Sequence, residues 1–284
     1  MRVSEWIAVT YFVVTALVAI GGARGGVVQK RLAVAGLAAA AVALVIAMAA
    51  AADAAWWLAI ARDWAPAAYL MFGYWLPGWL QRPPNPRLEA WLARADRQLL
   101  TWLGSNLDSP FWRSAMLEAV YLLVYPFVPA CFLLLYSTAP SEVSDTFWSA
   151  VLASGYACYG TLPWLPARPP RQIAAHDRSD NPHARPAVPA SLAHRVLRQL
   201  NEHVSGSMGV GGDTLPSGHV AVAVAAALVV AQFLPIAGML LILLTLVIAA
   251  ATVAGRYHYL VDAVGGLAVG ILAWLVLRWI GAGG

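Results

Sequence analysis

Apolar stretches of about 20 residues recur along this 284-residue chain and restrict its fold more than any other feature. A helix of about 20 apolar residues crosses the hydrocarbon core of a bilayer, because it bonds all its own backbone N–H and C=O groups. The stretches are 4–22, 32–52, 115–137, 146–163, 217–234, 236–254 and 258–280. The stretch 55–80 is a weaker candidate, since Pro66 and Pro77 interrupt it. The sequence therefore predicts an all-α polytopic membrane protein with eight spans, or alternatively seven.

The composition supports this class and excludes others. Hydrophobic residues make up 61% of the chain and charged residues 11%, so a soluble domain of this length would lack polar surface. The net charge of +4 comes from arginines in loops beside the apolar stretches, where they orient the spans and contact lipid headgroups. No nucleic-acid motif accompanies them, so nucleic acid is not an expected partner. Cys131 and Cys158 lie inside predicted spans and are interpreted as packing residues.

The first two spans are predicted to be an accessory pair. The first is interpreted as a retained helix and not as a signal peptide, because Glu5 lies near the start of its apolar run and a second long apolar stretch follows. Residues 1–54 then form an accessory N-terminal segment, and residues 55–284 form a catalytic membrane domain with a six-helix core.

Two long polar connections, 81–113 and 164–213, separate the predicted spans. In the first, apolar residues recur at helical spacing, which predicts either a helix in the membrane interface or an ordinary connecting helix. The charged residues assigned to its other faces are Glu89, Arg94, Asp96 and Arg97. In the second, which is rich in Pro and Arg, a short amphipathic helix is predicted at 190–203.

The segment GRYHYLVDAVGG places Arg256, His258 and Asp262 at the start of the last apolar stretch. Ionisable groups at a membrane helix are costly and need partners or a function, and residues 220–255 contain no charge. His258 and Asp262 share one helix face, so the carboxylate can bond one imidazole nitrogen and leave the other free as a nucleophile or base. The alternative is a snorkelling anchor, with the neighbouring tyrosines in the interface belt.

The segment PSGH begins another apolar stretch. Pro216 suits the first turn of a helix, and Ser217 and Gly218 are expected to present free backbone N–H groups to an anion at the positive end of the helix dipole. His219 beside such an anion is placed to donate a proton. The alternative is a capping serine with a solvent-facing histidine.

The segment LPARPPR ends a third apolar stretch with Arg168 and Arg171. Guanidinium groups bind phosphate oxygens in a bidentate manner, although arginines in this position are also a topology signal. The chain crosses the membrane twice between His219 and His258, so all three segments lie on one face. Two histidines, a carboxylate and several arginines on one face fit phosphoryl transfer through a phosphohistidine.

These segments resemble the three blocks of the PAP2 (type 2 phosphatidic acid phosphatase) superfamily, over about residues 66–280. The blocks are an arginine-proline pair at Arg168, the PSGH segment, and a histidine followed by an aspartate four residues later at His258. The chain departs from the common pattern at Thr161, Ala251 and Thr252, where a lysine and a serine–arginine pair are usual. Its RYHYLVD string is similar to the inositol phosphorylceramide synthase-like branch, which leaves the acceptor, water or an alcohol, open.

The resemblance implies a lipid phosphate phosphatase or, alternatively, a lipid headgroup phosphotransferase. Its catalytic residues would be His258 as nucleophile, Asp262 as its support and His219 as proton donor. The phosphate-binding residues implied are Arg168, Arg171, Ser217, Gly218 and Arg256. No metal or other cofactor is expected, since arginines neutralise the charge.

The expected partners are a lipid phosphate and membrane lipids, and the expected location is a bacterial-type plasma membrane. Counts of Arg and Lys place the site loops in the cytoplasm, whereas many members of the family that the chain resembles act on the outer face. A non-enzymatic alternative is a transporter or flippase that binds an anionic headgroup.

Overall fold

The computed structural model describes residues 1–21, 26–52, 55–80, 82–102, 115–138, 143–173, 191–210 and 214–281. Within these ranges the regular secondary structure is α-helical and includes no strand, which confirms the all-α class. The helices are α1 Val3–Gly21, α2 Val27–Ala52, α3 Trp56–Gly78, α4 Pro86–Trp102, α5 Ala115–Leu122, α6 Val124–Thr138, α7 Val143–Tyr159, α8 Leu192–Met208, α9 Gly218–Phe233, α10 Pro235–Ala254 and α11 Leu260–Trp279. The amphipathic helix predicted at 190–203 is α8.

Several helices meet the length and apolarity needed to cross a bilayer. Among the described residues, α1, α2, α10 and α11 qualify, and α5 with α6, bent by 50° at their junction, would make a fifth span. The apolar helix α9 has only 16 residues. These helices support a multi-pass membrane protein, and the number of spans, eight or seven, stays a prediction.

Helix α9 lies at the centre of the bundle. It packs against α6, α7, α10 and α11, and its run of alanines and valines is apolar on every side, as expected for a fully buried helix. The site described below lies at the N-terminal end of this helix, so it is surrounded by the bundle on most sides.

Two glycines bring α11 against α9. A Cβ at Gly266 would lie 2.5 Å from the carbonyl oxygen of Ser217, and one at Gly270 would lie 2.6 Å from that of Ala221. Glycines spaced four apart allow two membrane helices to approach at backbone distance. This approach places the N-termini of α9 and α11, which carry the PSGH and RYHYLVD segments, side by side.

The predicted accessory pair is joined to the rest of the bundle by buried charges. Helices α1 and α2 pack against α3, and α1 also packs against α7. Glu5, which is buried, accepts hydrogen bonds from Arg62 at 2.5 and 2.9 Å, and Arg2 is paired with Asp63 at 2.5 Å. These pairs lie at the end of the bundle opposite the site. The division at residue 54 stays a prediction.

Asp145 of α7 caps the N-terminus of α1 from another helix. Its carboxylate accepts the backbone N–H groups of Val3 and Ser4 at 2.9 and 2.8 Å. Because a lost helix cap costs about 1–2 kcal/mol, Asp145→Ala is expected to lower the free energy of unfolding in detergent by that amount, with turnover unchanged at low temperature. Ser137→Ala, at an exposed hydroxyl bonded within its own helix, is the control. Equal stability of the two variants would contradict the capping role.

Candidate active site

His258 and Asp262 form a buried pair at the N-terminus of α11. His258 Nδ1 lies 2.6 Å from Asp262 Oδ2, and the two residues are 5% and 1% exposed. Because an ionised carboxylate only accepts hydrogen bonds, Nδ1 carries the proton and Nε2 keeps its lone pair. A carboxylate in this position also stabilises an imidazolium. The structure thus places the predicted pair in contact.

His219 lies on the other side of the His258 ring. Its Nδ1 is 3.4 Å from His258 Nε2, and the ring centroids are 5.7 Å apart. Since Nε2 of His258 is an acceptor in the neutral pair, Nδ1 of His219 is the donor of this contact. The aspartate and the two histidines therefore form one hydrogen-bonded series from the first turn of α11 to the first turn of α9.

A cavity of about 720 Å³ opens beside the two histidines. At the helix ends that carry the site, its polar lining includes Arg171, Gln172, Glu202, Ser205, Thr214, His219 and His258, together with several tyrosines. Deeper along α3, α6 and α9 the lining is apolar, with Ala67, Leu70, Met71, Val128, Pro129 and Val222. The cavity thus has a charged end at the histidines and an apolar end inside the bundle.

Arg171 is the arginine that lines this cavity. Its guanidinium carbon lies 4.5 Å from the centroid of the Tyr257 ring, and its Nη2 donates to Glu202 at 2.6 Å. Its backbone N–H donates to the carbonyl oxygen of Arg256 at 3.1 Å, which ties it to the turn before His258. Its Nη1 is buried and has no hydrogen-bond partner among the described residues. A buried, unsatisfied guanidinium nitrogen at a cavity wall is a binding group for an anion.

Tyr257, predicted as an interface residue in the alternative interpretation, is buried and supports Arg171. Its ring stacks on Tyr121 with centroids 3.7 Å apart, and its hydroxyl donates to Glu118 at 2.7 Å. Glu118 also accepts a hydrogen bond from Asn201 of α8 at 2.8 Å. This buried network joins α5 and α8 to the turn that carries His258.

The free N–H groups expected in the PSGH segment are already bonded, so that expectation is wrong. The Ser217 N–H donates to the carbonyl oxygen of Asp262 at 3.1 Å, and the Gly218 N–H donates to Thr214 Oγ1 at 2.9 Å. The Ser217 side chain is fully buried and caps α9. Gly218 instead makes room for the Tyr159 ring, which a Cβ would overlap. Both residues build the site, and neither lines the cavity.

Arg168 is bound to a carboxylate of the first polar connection. Its Nε and Nη2 each donate to Glu89 at 3.0 Å, and its backbone N–H donates to the same carboxylate at 3.0 Å. The Arg168 hydrogen bonds hold the pKa of buried Glu89 below its usual range. The pair therefore stabilises the fold at neutral pH, and this contribution is lost as the pH falls through the lowered pKa. Arg168 does not line the cavity.

Arg256 lies in the turn between α10 and α11 with an exposed side chain. Its φ of 58° is in the left-handed region, which is uncommon for a residue other than glycine. It does not line the cavity, and its carbonyl oxygen accepts the Arg171 N–H. Of the three arginines predicted to bind phosphate, only Arg171 is brought to the two histidines.

Several residues of this region were not anticipated from the sequence. Glu118 could have been identified from the sequence, because a carboxylate inside a predicted span indicates a buried partner or a function. No feature of the sequence indicates the position of Glu202, because a charged residue on an amphipathic helix is ordinarily solvated. Glu89 was assigned to an outer face of its helix, yet it is 7% exposed and faces the protein.

The fold and this site define an all-α multi-pass membrane protein with a buried histidine–aspartate pair next to a second histidine. A family model described as the PAP2 superfamily matches residues 90–276, and the chain belongs to that superfamily. Membership supports an enzyme of the phosphatase or phosphotransferase type. No curated protein and no solved structure matches the sequence.

Proposed function

We propose that the protein removes the phosphate of a lipid phosphate through a phosphohistidine at His258. The observation that carries this proposal is the position of His258 between Asp262 and His219, at the charged end of the cavity. The carboxylate at Nδ1 leaves Nε2 as the nucleophilic nitrogen, and both histidines line the cavity. This arrangement provides both a nucleophile and a proton donor.

In the first step, the Nε2 lone pair of His258 attacks phosphorus and the bond from phosphorus to the lipid oxygen breaks. His219 enters this step as an imidazolium, after releasing its contact with Nε2 to admit the phosphoryl group, and the leaving alkoxide takes one of its protons, which leaves His219 neutral. Asp262 balances the positive charge that develops on the imidazole.

In the second step, a water oxygen attacks phosphorus, the P–N bond breaks and inorganic phosphate leaves. His219, now neutral, accepts the proton of the attacking water and returns to its starting state. Phosphoryl transfer depends mainly on positioning and charge stabilisation, so the cation near the phosphoryl oxygens has a large effect on the rate.

Arg171 is the cation that the cavity offers for this purpose. Arg171→Gln is expected to slow turnover by roughly 2–4 kcal/mol in activation free energy, because the charge on the phosphoryl oxygens loses its partner. Arg256→Gln removes a positive charge from the turn whose carbonyl oxygen accepts the Arg171 N–H, but outside the cavity, and serves as the matched control. Initial rates of both variants are compared with the wild-type protein. Equal losses would show that general positive charge, and not Arg171, governs the reaction.

The apolar end of the cavity supports a lipid as the substrate. An alkyl chain placed there would replace water against side chains of α3, α6 and α9, while its phosphate reached the histidines. The transporter alternative accounts for an anionic headgroup at Arg171, but it gives no purpose to a carboxylate aligned behind one of two facing histidines.

A lipid headgroup phosphotransferase is the second candidate function. It is favoured by the polar wall that Gln172, Glu202 and Ser205 form across the cavity from the apolar lining. Such groups can hold the hydroxyl of an alcohol acceptor, which a hydrolase does not require. Water is the simpler acceptor, and we place hydrolysis first.

The test is the partitioning of the phosphoryl group. Purified protein is incubated with a lipid phosphate labelled with ³²P, with and without alcohol acceptors, and inorganic phosphate and phosphorylated alcohol are measured. Free phosphate without any alcohol supports the phosphatase. Release only after an alcohol is added would favour the transferase, and no release under any condition would favour the transporter.

Activity is expected to survive EDTA and to be inhibited by vanadate. Among the described residues no group of three or more His, Cys, Asp or Glu side chains converges as a metal site would require. Vanadate adopts the five-coordinate geometry of phosphoryl transfer, with His258 at one apex and Arg171 at an oxygen. Loss of turnover with EDTA and its recovery with a divalent ion would contradict a reaction carried by side chains alone.

A further inference from the structure

One face of helix α4 contacts the chain beside two of the site segments. Glu89, Leu92 and Asp96 are spaced three and four residues apart and therefore share a face. Leu92, 1% exposed, packs with Ala167 and Tyr259. Ala167 immediately precedes Arg168, and Tyr259 immediately follows His258.

Asp96 supplies a cap that α11 lacks. The residue before this helix, Tyr259, makes no side-chain cap hydrogen bond. The N–H of Leu260, the first residue of α11, instead donates to Asp96 Oδ1 at 2.5 Å. A carboxylate at this position satisfies a terminal donor and interacts favourably with the positive end of the helix dipole. The cap therefore holds the first turn of α11, which contains Asp262 and begins two residues after His258.

Holding the Asp96 carboxylate beside α11 costs free energy, because it is partly removed from water. Burial raises the pKa of Asp96, although the Leu260 N–H and Arg256 both act in the opposite direction. Glu89, two turns earlier on the same face, holds Arg168 by three hydrogen bonds. Tyr259 completes the connection, since its hydroxyl donates to the carbonyl oxygen of Arg168 at 3.4 Å.

We propose that Asp96 is a positioning residue for the reaction: from the surface helix α4 it caps α11 and so holds His258 against Asp262. Asp96 does not line the cavity, so it acts through the helix and not on the substrate. This inference rests on the proposed function of His258. It gives α4 a role in the active site. Neither interpretation from the sequence, a connecting helix or an interfacial helix, includes such a role.

The test compares three variants. Asp96→Ala removes the cap, Asp96→Asn retains an oxygen acceptor that caps helices well, and Arg94→Ala alters an exposed residue on the opposite face of α4. For each, kcat and KM for a lipid phosphate are measured. Amide hydrogen exchange is measured in the peptide that covers residues 257–264.

Asp96→Ala is expected to lower kcat by about 10- to 100-fold with KM changed less than about two-fold, because the nucleophile is misplaced while the cavity is intact. Exchange in 257–264 should accelerate in the same variant. Asp96→Asn should restore most of both properties, and Arg94→Ala should resemble the wild-type protein.

Two results would overturn the proposal. Unchanged exchange in Asp96→Ala would show that Asp96 does not hold the start of α11. Faster exchange with normal kcat would show that the cap does not position the nucleophile. If the wild-type protein releases no phosphate, the proposed function fails, and the exchange measurement alone still decides whether Asp96 holds this helix.

Discussion

Replacing His258 with alanine is expected to reduce turnover of a lipid phosphate by at least about 10⁴-fold, while the protein still inserts and folds. His258 provides the attacking lone pair in the proposed first step and forms the bond to phosphorus, so the step is lost with its imidazole. The variant should also fail to form a ³²P-labelled protein from labelled substrate, whereas rapidly quenched wild-type protein should carry an acid-labile, base-stable label.

Two further variants make this test specific. Asp262→Asn should lower turnover of the lipid phosphate by about 10²- to 10⁴-fold, because a neutral amide neither fixes the required tautomer nor stabilises the imidazolium. His203→Ala, at an exposed histidine of α8, removes an imidazole away from the pair and should retain normal rates. Near-normal turnover of His258→Ala would contradict the nucleophile assignment, and the label would then have to be sought on another residue.

The sequence was sufficient to predict the contact between His258 and Asp262, because this contact is local. The helical spacing predicts the partner correctly, although α11 begins only at Leu260 and His258 lies in the turn before it, bonded to Asp262 of the first turn. The proximity of His219 followed from topology, since a helical hairpin must return the chain to the side from which it left. The closeness of the approach depends on Gly266 and Gly270, whose contacts with α9 become visible only in the structure.

The groups expected to bind an anion were located less well, because their partners are distant in sequence or irregular in position. The sequence pattern predicts free N–H groups at Ser217 and Gly218, but a carbonyl oxygen of α11 and the hydroxyl of Thr214 accept their hydrogen bonds. The spacing of Arg168 and Arg171 predicts the same role for both. Glu89 of α4 binds the first, whereas the stacked Tyr257 holds the second at the cavity.

Carboxylates that cap a helix from elsewhere in the chain were not predictable at all. Asp145 caps α1 and Asp96 caps α11, and neither is near the helix that it caps in sequence. Capping patterns read from sequence detect only residues adjacent to the helix end. At α1 the local carboxylate of Glu5 accepts the backbone N–H of Arg2, and at α11 the residue Tyr259 makes no side-chain cap. The N–H groups of Val3, Ser4 and Leu260 therefore depend on the tertiary fold.

Replacing His219 with alanine is expected to separate the two steps of the reaction. With a lipid phosphate, turnover should fall by about 10²- to 10⁴-fold, because the alkoxide leaves without a proton donor. With p-nitrophenyl phosphate the leaving phenolate needs no proton, so the first step should proceed at a rate close to that of the wild-type protein. The second step still needs His219 as the base that activates water. The variant should therefore release a burst of nitrophenol equal to the enzyme concentration and then stop.

The burst is measured by rapid mixing at several enzyme concentrations, with His258→Ala as the control that should show none. Its amplitude should scale with enzyme and match the amount of ³²P-labelled protein formed under the same conditions. An equal loss of turnover on both substrates, without a burst, would contradict the acid and base roles of His219. Its remaining role would then be the contact with His258. A burst in His219→Ala that an added alcohol converts into continuous turnover would instead show that an alcohol reaches the phosphohistidine where water is not activated, which favours the transferase over the hydrolase.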